Sequence, residues 1–323
     1  MSQMDSTYKI IKKLGSGGGG TVYLAEHLRL NKRVVLKADK REITTSRDLL
    51  RREVDILKEL SHPHIPRVYD FFIEDGNIYT AMDYIEGESL DKALKRGETF
   101  SQAQLIRWAV QLLDALAYLH NPVHGNPPKG FVHSDIKPAN LMRTPQGDIC
   151  LIDFNVAGAL GEKSAIGFSA GYASPEHYWL DFSSRYEEDT ELTLTLASKE
   201  EDTDLTLTLP SDEKIAAMAG RMSGTVSSHS SASPGYYNSA SPSKRRVVTP
   251  DIRSDIYSVG ATLYHLLSGK RPEKNAKEVV RLSGEQFNPL IVDIISKAMN
   301  PNRDLRYQTA EEMKMDFLNL REN

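Results

Sequence analysis

Asp135 and Asn140 lie five positions apart, and Asp153 follows Asn140 by thirteen. The first two stand in His133-Ser134-Asp135-Ile136-Lys137-Pro138-Ala139-Asn140, and the third closes an apolar run in Ile152-Asp153-Phe154-Asn155. One carboxylate can orient a hydroxyl nucleophile, while an amide oxygen and a second carboxylate can hold Mg²⁺ on the phosphates of a nucleotide. Phosphoryl transfer asks for in-line positioning and neutralised charge rather than covalent chemistry, and these groups could supply both. An isolated HxDxxxxN string arises by chance. Chance is a poor account of one followed at this spacing by a hydrophobic strand that ends in Asp-Phe.

The elements that must position these groups come in a usable order. Gly15-Ser16-Gly17-Gly18-Gly19-Gly20 follows the apolar run that begins at Tyr8. Glycines there let backbone N–H groups approach phosphate oxygens with no Cβ in the way. Gly15, Gly17 and Gly20 also satisfy GxGxxG, and Asp39 lies nineteen positions past Gly20, roughly where a dinucleotide site places its ribose-binding acid. That fingerprint requires a helix directly after the glycines. Thr21-Val22-Tyr23-Leu24-Ala25 reads instead as the second strand of a hairpin. Val34-Val35-Leu36-Lys37 is a further apolar strand with a cation at its end, a lysine that either snorkels into water or reaches phosphate. Leu49, Val54, Leu57 and Leu60 give Asp48–Leu60 a helical period, with Glu53 beside the apolar stripe and free to face inward or to stay solvated.

Taken together these segments resemble a Ser/Thr protein kinase domain, similar to the eukaryotic-like kinases of bacteria. The glycine loop, Lys37, Glu53, Met82-Asp83-Tyr84-Ile85-Glu86-Gly87, the HxDxKxxN loop, the Asp-Phe strand end, Ser174-Pro175-Glu176, Asp255-Ile256-Tyr257-Ser258-Val259-Gly260 and Arg306 match in order. The resemblance implies an α+β, two-lobed fold. Residues 1–85 would form an ATP-binding lobe with a small antiparallel sheet and one main helix. Residues 86–323 would form a mainly helical catalytic lobe, interrupted by an insert at about 181–250. It also implies that Gly15, Gly17, Gly20, Val22, Val35, Lys37, Glu53, Met82, Asp83 and Ile85 serve ATP, with Glu53 as the partner of Lys37 and Met82 as gatekeeper. Asp135 would be the catalytic base, with Lys137 at the γ-phosphate and Ser169 bonded to both. Asn140 and Asp153 would hold Mg²⁺, with Mn²⁺ as the alternative metal. His133 and Phe154 would pack rather than react, and Glu176 with Arg306 would form a buried pair rather than a surface one. The implied activity is transfer of the γ-phosphoryl of Mg·ATP to Ser/Thr hydroxyls of protein substrates, the chain itself included.

Three departures bear on that activity. Ser134 stands where many such enzymes carry an arginine that receives an activation-loop phosphate, and a hydroxyl cannot do so. The short stretch from Asp153 to Glu176 contains Ser164, Ser169 and Ser174 and no Thr, which agrees. Activity independent of phosphorylation in that stretch is therefore expected. Asn155 replaces the glycine after Asp-Phe, and Asn is the next most tolerant of positive φ. Val35 replaces the usual Ala and enlarges the adenine roof. Ser134 and Asn155 also admit a second reading, a nucleotide-binding pseudokinase scaffold.

Composition narrows the class further. Hydrophobic content of 40% with 26% charged residues is that of an ordinary globular protein. No stretch approaches the ~18 apolar residues of a membrane span, and Met1–Asp5 has no signal-peptide character. The single cysteine, Cys150, cannot form an internal disulfide. A cytoplasmic protein is expected. The net charge of −4 argues against nucleic acid as a partner.

The insert has two parts. Glu187-Glu188-Asp189-Thr190-Glu191 and the Leu-Thr alternation after it recur thirteen residues later as Glu200–Asp204 and Leu205–Leu209. From Glu187 to Glu213 ten acids face one base, Lys199, a net of −9, so the remainder of the chain carries +5. Ser223–Ser243 has nine serines in twenty-one residues, too little apolar area to offset its ordering entropy, and is predicted disordered. Two readings of the 187–209 repeats stand side by side. One is a solvated, variable loop; the other is a tethered segment, phosphorylated at Thr190, Thr193, Thr203 and Thr206 and read by a phosphothreonine-binding partner.

Overall fold

The computed structural model describes residues 6–17, 20–39, 58–123, 130–153, 169–178, 250–273 and 282–320. β1 (Tyr8–Gly17), β2 (Gly20–His27), β3 (Lys32–Asp39), β4 (Val68–Glu74) and β5 (Asn77–Asp83) form one antiparallel sheet in the order β1-β2-β3-β5-β4. Gly17 pairs with Gly20 across the hairpin, and Thr21–Ala25 lies wholly in β2. A strand directly after the glycines excludes the dinucleotide fingerprint, which needs a helix there.

Strand parity sorts the sheet into two faces. Val22 pairs with Lys37, and Val35 pairs with Met82. Directly opposed residues share a face, as do residues two apart, so Val22, Val35, Lys37 and Met82 line one side. All four are half-buried. The alternate residues Ala25, Val34, Leu36 and Ala81 are fully buried on the other side, where they join Tyr8 and Phe72 in a small core. Tyr8, Phe72 and Tyr79 stack through it at centroid spacings of 5.5 and 5.1 Å.

The second unit is mainly helical. α1 (Leu90–Lys95) follows the short β6 (Glu88–Ser89), and α2 (Gln102–His120) starts at a capping box in which Ser101 and Gln104 each satisfy the other's backbone N–H. β7 (Leu141–Arg143) and β8 (Ile149–Leu151) pair with β6 in the order β6-β7-β8. α3 (Ile252–Ser268), α4 (Pro289–Ala298) and α5 (Ala310–Asn319) complete the described residues of this unit. Leu105, Trp108, Leu112, Leu116 and Leu119 recur at helical spacing along α2 and are at most 2% exposed. Each contributes about 1.5–3 kcal/mol on burial, so the larger reserve of stability lies here. Gly260 lets α3 approach α4, since a Cβ there would stand 2.7 Å from Met299 Cγ.

This α+β, two-lobed arrangement is the one the resemblance implies. The predicted helix over Asp48–Leu60 lies outside the described residues as far as Leu57, and Glu53 with it. Phe154, Asn155, Ser164 and the insert up to Thr249, with both readings of its repeats, lie outside them as well.

Candidate active site

Asp135 stands at the centre of a polar cluster. Ser169 Oγ donates to its Oδ1 at 2.8 Å, and Lys137 Nζ lies 3.0 Å from Oδ2. Lys137 Nζ also donates to Ser169 Oγ at 2.6 Å, closing a triangle. Asn140 Nδ2 donates to the Asp135 backbone oxygen at 2.8 Å and to Oδ2 at 3.1 Å, which makes Oδ1 the acceptor end of that amide. Lys137 and Asn140 are buried, while the Asp135 side chain keeps 20% of its surface exposed. A fixed carboxylate that still meets solvent can take a hydrogen bond from an incoming hydroxyl.

The loop that carries Asp135 is under backbone constraint. Ser134 adopts φ +66°, a region that costs a non-glycine residue on the order of 1–3 kcal/mol. Asp255, in the first turn of α3 and fully buried, supplies the compensation. Its Oδ1 accepts from Ser134 N–H and its Oδ2 from His133 N–H, both at 2.8 Å, and His120 Nε2 lies 2.9 Å from Oδ2. Burial would raise the Asp255 carboxyl, but His120, His133 and these N–H groups outweigh it and hold it below the ordinary carboxylate range. Thr262 Oγ1, on the same helix, donates to Ile136 O at 3.4 Å. The motif at 255–260 is legible in the sequence, but its purpose as the anchor of the loop 121 residues earlier is not. An acid spaced among the apolar Ile252, Ile256 and Val259 of one helix is the signal that marks it.

Both ring nitrogens of His133 meet backbone groups. Its Nδ1 accepts from Asp135 N–H at 3.3 Å, which places the ring proton on Nε2, 3.3 Å from Ile152 O. The packing role expected for it fits these bonds.

Across the cleft, Lys37 Nζ bonds to Asp153 Oδ1 and so links β3 to the strand end after β8. Asp153 also has positive φ, +66°. Burial acts to raise its carboxyl, yet the charge and hydrogen bond of Lys37, with the Lys137 charge beyond, hold it below the ordinary value, so it is ionised near neutral pH. Glu53, the partner expected for Lys37, is outside the described residues. Asp153 and the Asn140 acceptor end are hard oxygen donors of the kind Mg²⁺ accepts. Among the described residues no three or more His, Cys, Asp or Glu side chains converge. The Ile152 N–H donates to Asn140 O at 2.8 Å, which ties the two candidate ligands to one backbone frame.

The other expected residues that are described lie on the sheet, in the segment after it and in the helical unit. Val22, Val35 and Met82 share the Lys37 face of the sheet, and a Cβ at Gly15 would meet no atom within 4 Å. Asp83 ends β5, with its carboxylate accepting from Arg67 N–H at 2.9 Å and Lys32 Nζ at 2.6 Å, which fixes the start of the segment through Ile85. Gly87 closes that segment at φ +128°, where a Cβ would lie 2.0 Å from Arg143 O. Arg306 donates from Nη2 to Glu176 Oε1 at 2.9 Å, both side chains at most 3% exposed, and its other donors reach the carbonyls of Arg253, Asn300 and Pro301. The buried pair is therefore the one present. Cys150 is buried in β8, and burial pushes its thiol up to about 12. No described helix is long and apolar enough to cross a membrane.

Comparison with known proteins agrees with this geometry. The family model described as "Protein kinase domain" matches residues 8–190. A probable serine/threonine-protein kinase of Streptomyces coelicolor is 28% identical over 98% of this chain and 40% of its own length. Serine/threonine-protein kinase PrkC of Bacillus subtilis is 24% identical over the same shares, 98% and 40%. A dual specificity mitogen-activated protein kinase kinase of Dictyostelium discoideum is 35% identical over 47% of this chain and 22% of its own length. The chain thus spans about 40% of the length of the two bacterial relatives.

Proposed function

The chain belongs to the protein kinase family, and we propose that it is an ATP-dependent serine/threonine protein kinase that transfers the γ-phosphoryl of Mg·ATP to protein hydroxyls, its own included. The observation that carries this reading is the Asp135–Lys137–Ser169 triangle, set against the Lys37–Asp153 pair across the cleft. Asp135 orients the substrate hydroxyl and receives its proton. Lys137, buried beside it, neutralises charge that builds on the transferred group, and Ser169, bonded to both, fixes their geometry. Lys37 meets the α- and β-phosphates, with Glu53 as its second carboxylate. Gly15, Gly17 and Gly20 offer backbone N–H groups, while Val22, Val35 and Met82 enclose the base and the Asp83–Ile85 backbone bonds its edge. Asn140 and Asp153 are the groups that would hold Mg²⁺, or Mn²⁺ in its place. The ion would supply neutralisation of phosphate charge.

On this reading residues 1–85 form the nucleotide lobe and residues 86–323 the catalytic lobe, in a cytoplasmic protein. None of the relatives favours the pseudokinase alternative raised by Ser134 and Asn155. Ser134 is buried, its N–H held by Asp255, which supports turnover that needs no phosphate in the 153–176 stretch. The 187–209 repeats, once phosphorylated, are the candidate contact for a phosphothreonine-binding partner. Purified protein with Mg·ATP and a generic protein substrate tests the main reading. Transfer is expected from wild type, before and after phosphatase treatment, and is lost in Lys37→Met. Absence of any labelled product from wild type would remove it.

A further inference from the structure

The groups described so far handle a hydroxyl and phosphates, and none of them chooses among proteins. A lip of chain lies beside them. Ser169 is followed by Ala170-Gly171-Tyr172, a turn in which Tyr172 and Ala173 N–H both donate to Ser169 O at 3.1 Å. The loop leaving α3, Gly269-Lys270-Arg271-Pro272-Glu273, lies against it. Arg271 Nη2 donates to Ala170 O, and the guanidinium carbon stands 5.0 Å over the Tyr172 ring. Tyr172 Oη is 2.6 Å from His265 Nδ1. Gly171 permits this approach: at φ +86° a Cβ would lie 2.7 Å from Pro272 O and 3.1 Å from Arg271 Nε. The carbonyl that Arg271 grips therefore belongs to the residue next to Ser169, whose hydroxyl bonds Asp135.

Arg271 and Lys270 are exposed, and among the described residues no carboxylate pairs with Arg271. Glu273 is the acid of this loop, also exposed, and leaves it a net +1. Burial and the Arg271 charge hold His265 below its ordinary value, so it adds no positive charge near neutral pH. A guanidinium has five N–H donors, and among the described residues the Ala170 bond is the one hydrogen bond it makes. A substrate chain entering at Asp135 thus passes a cation whose remaining donors suit carboxylates.

The chain carries a matching segment. Thr190 lies in Glu187-Glu188-Asp189-Thr190-Glu191 and Thr203 in Glu200-Glu201-Asp202-Thr203-Asp204, and 187–209 holds eight acids and one lysine. Thr190 follows Tyr178, the last described residue of the 169–178 segment, by twelve positions, a reach of up to ~40 Å. Building on the kinase reading of the site, we propose that Arg271, with Lys270 beside it, is a specificity-determining residue that selects hydroxyls flanked by acidic residues, and that the 187–209 repeats are the segment it receives. The transfer it directs breaks the bond from the γ-phosphorus to the β,γ-bridging oxygen of ATP and forms one from that phosphorus to the threonine oxygen. The hydroxyl proton passes to the Asp135 carboxylate, and ADP leaves.

Kinetics of the full chain on two peptides test this, one containing Glu-Glu-Asp-Thr-Glu-Leu and one containing Gln-Gln-Asn-Thr-Gln-Leu. Wild type is expected to favour the acidic peptide about fivefold in kcat/KM, through KM, and to lose the preference as salt rises. In Arg271→Gln the ratio falls to about one, while Arg271→Lys keeps part of it. Because each ratio is taken within one protein, a general loosening of the lip cancels. Mass spectrometry after incubation with ATP should place phosphate on Thr190 and Thr203. Equal use of the two peptides by wild type, a ratio unchanged in Arg271→Gln, or no phosphate within 187–209 overturns the proposal. If Arg271→Gln does not fold, a wild-type KM for the acidic peptide that ignores salt overturns it equally. Transfer to no acceptor at all would instead remove the kinase reading beneath it.

Discussion

The catalytic loop and the glycine hairpin are held in opposite ways. Asp135 hangs from a loop whose backbone is bonded to Asp255, a fully buried carboxylate with three partners at 2.8 to 2.9 Å. β1, by contrast, is exposed from Lys9 through Ser16, and Ile10, Ile11 and Leu14 keep 44%, 49% and 41% of their surface in solvent. It is tied mainly by its ladder to β2, with irregular register between Ile10 and Lys12 and again between Lys13 and Gly15. The group that orients a hydroxyl cannot drift by an ångström without losing its geometry. A roof over a nucleotide must open to let one in and out, and an edge strand with few buried contacts opens at low cost. On the proposed function, rigidity is placed where the proton would move and withheld where the nucleotide would exchange.

The sharpest way to break that contrast is to remove the anchor. Asp255→Asn places an amide NH₂ opposite one of the backbone N–H donors that a carboxylate oxygen now accepts, leaving a buried donor unsatisfied beside a strained Ser134. A stability loss of about 3–5 kcal/mol is expected in urea unfolding, with turnover reduced beyond the loss of folded protein. Unchanged turnover in the folded fraction would show that the loop holds itself. Asp135→Asn tests the other end of the same chain of contacts. Turnover should fall about 10²-fold or more, while the unfolding midpoint and nucleotide binding stay close to wild type. A matching loss of nucleotide affinity would mean that Asp135 serves the phosphate side instead.

Much of this was legible because it is local. Val35 and Lys37, two apart in one strand, share a face by parity, while Val22 joins them only through the β2–β3 register that the structure supplies; the HxDxKxxN spacing keeps Asp135, Lys137 and Asn140 within six residues of chain. The pair Glu176–Arg306, 130 residues apart, was legible only through family resemblance. What stayed hidden are contacts that no period encodes. Asp255 reads as part of a motif, but its grip on residues 133 and 134 exists only once α3 packs against the catalytic loop. Arg271 reads as an unremarkable surface cation after a helix-ending glycine, and its position against Ala170 depends on Gly171 meeting Pro272. Lys37 was matched to Glu53, and the partner seen among the described residues is Asp153, on the far side of the cleft.

A smaller effect sharpens the contrast through pH. His177, fully buried in the catalytic lobe, and His265 both sit below their ordinary value, in each case chiefly because burial disfavours the charged ring. The unfolded chain takes up protons on them from about pH 6.5 downward, whereas the folded chain does not until lower pH. Stability contributed by their neutral forms is therefore complete above about pH 6.5 and declines as pH falls below it, by at most about 1.4 kcal/mol per pH unit for each group. Urea midpoints between about pH 5 and 8 should show that slope, and His265→Gln should flatten it. A midpoint that rises on acidification would reverse the sign and refute it.

The smallest expected effect is at the hairpin itself. Ile11→Thr removes an apolar side chain that is already half in water and keeps a β-branched shape on the strand, so global stability should change by no more than about 0.5 kcal/mol. Amide exchange is the more discriminating measurement. Protection along β1 should be far below that of Ile256–Leu263 in α3, and adding ATP with Mg²⁺ should slow exchange in β1 while leaving α3 as it was. If β1 is protected as strongly as α3 without nucleotide, the hairpin is as fixed as the catalytic loop. The division of rigidity between the two walls of the cleft would then be wrong, whatever the chemistry at Asp135.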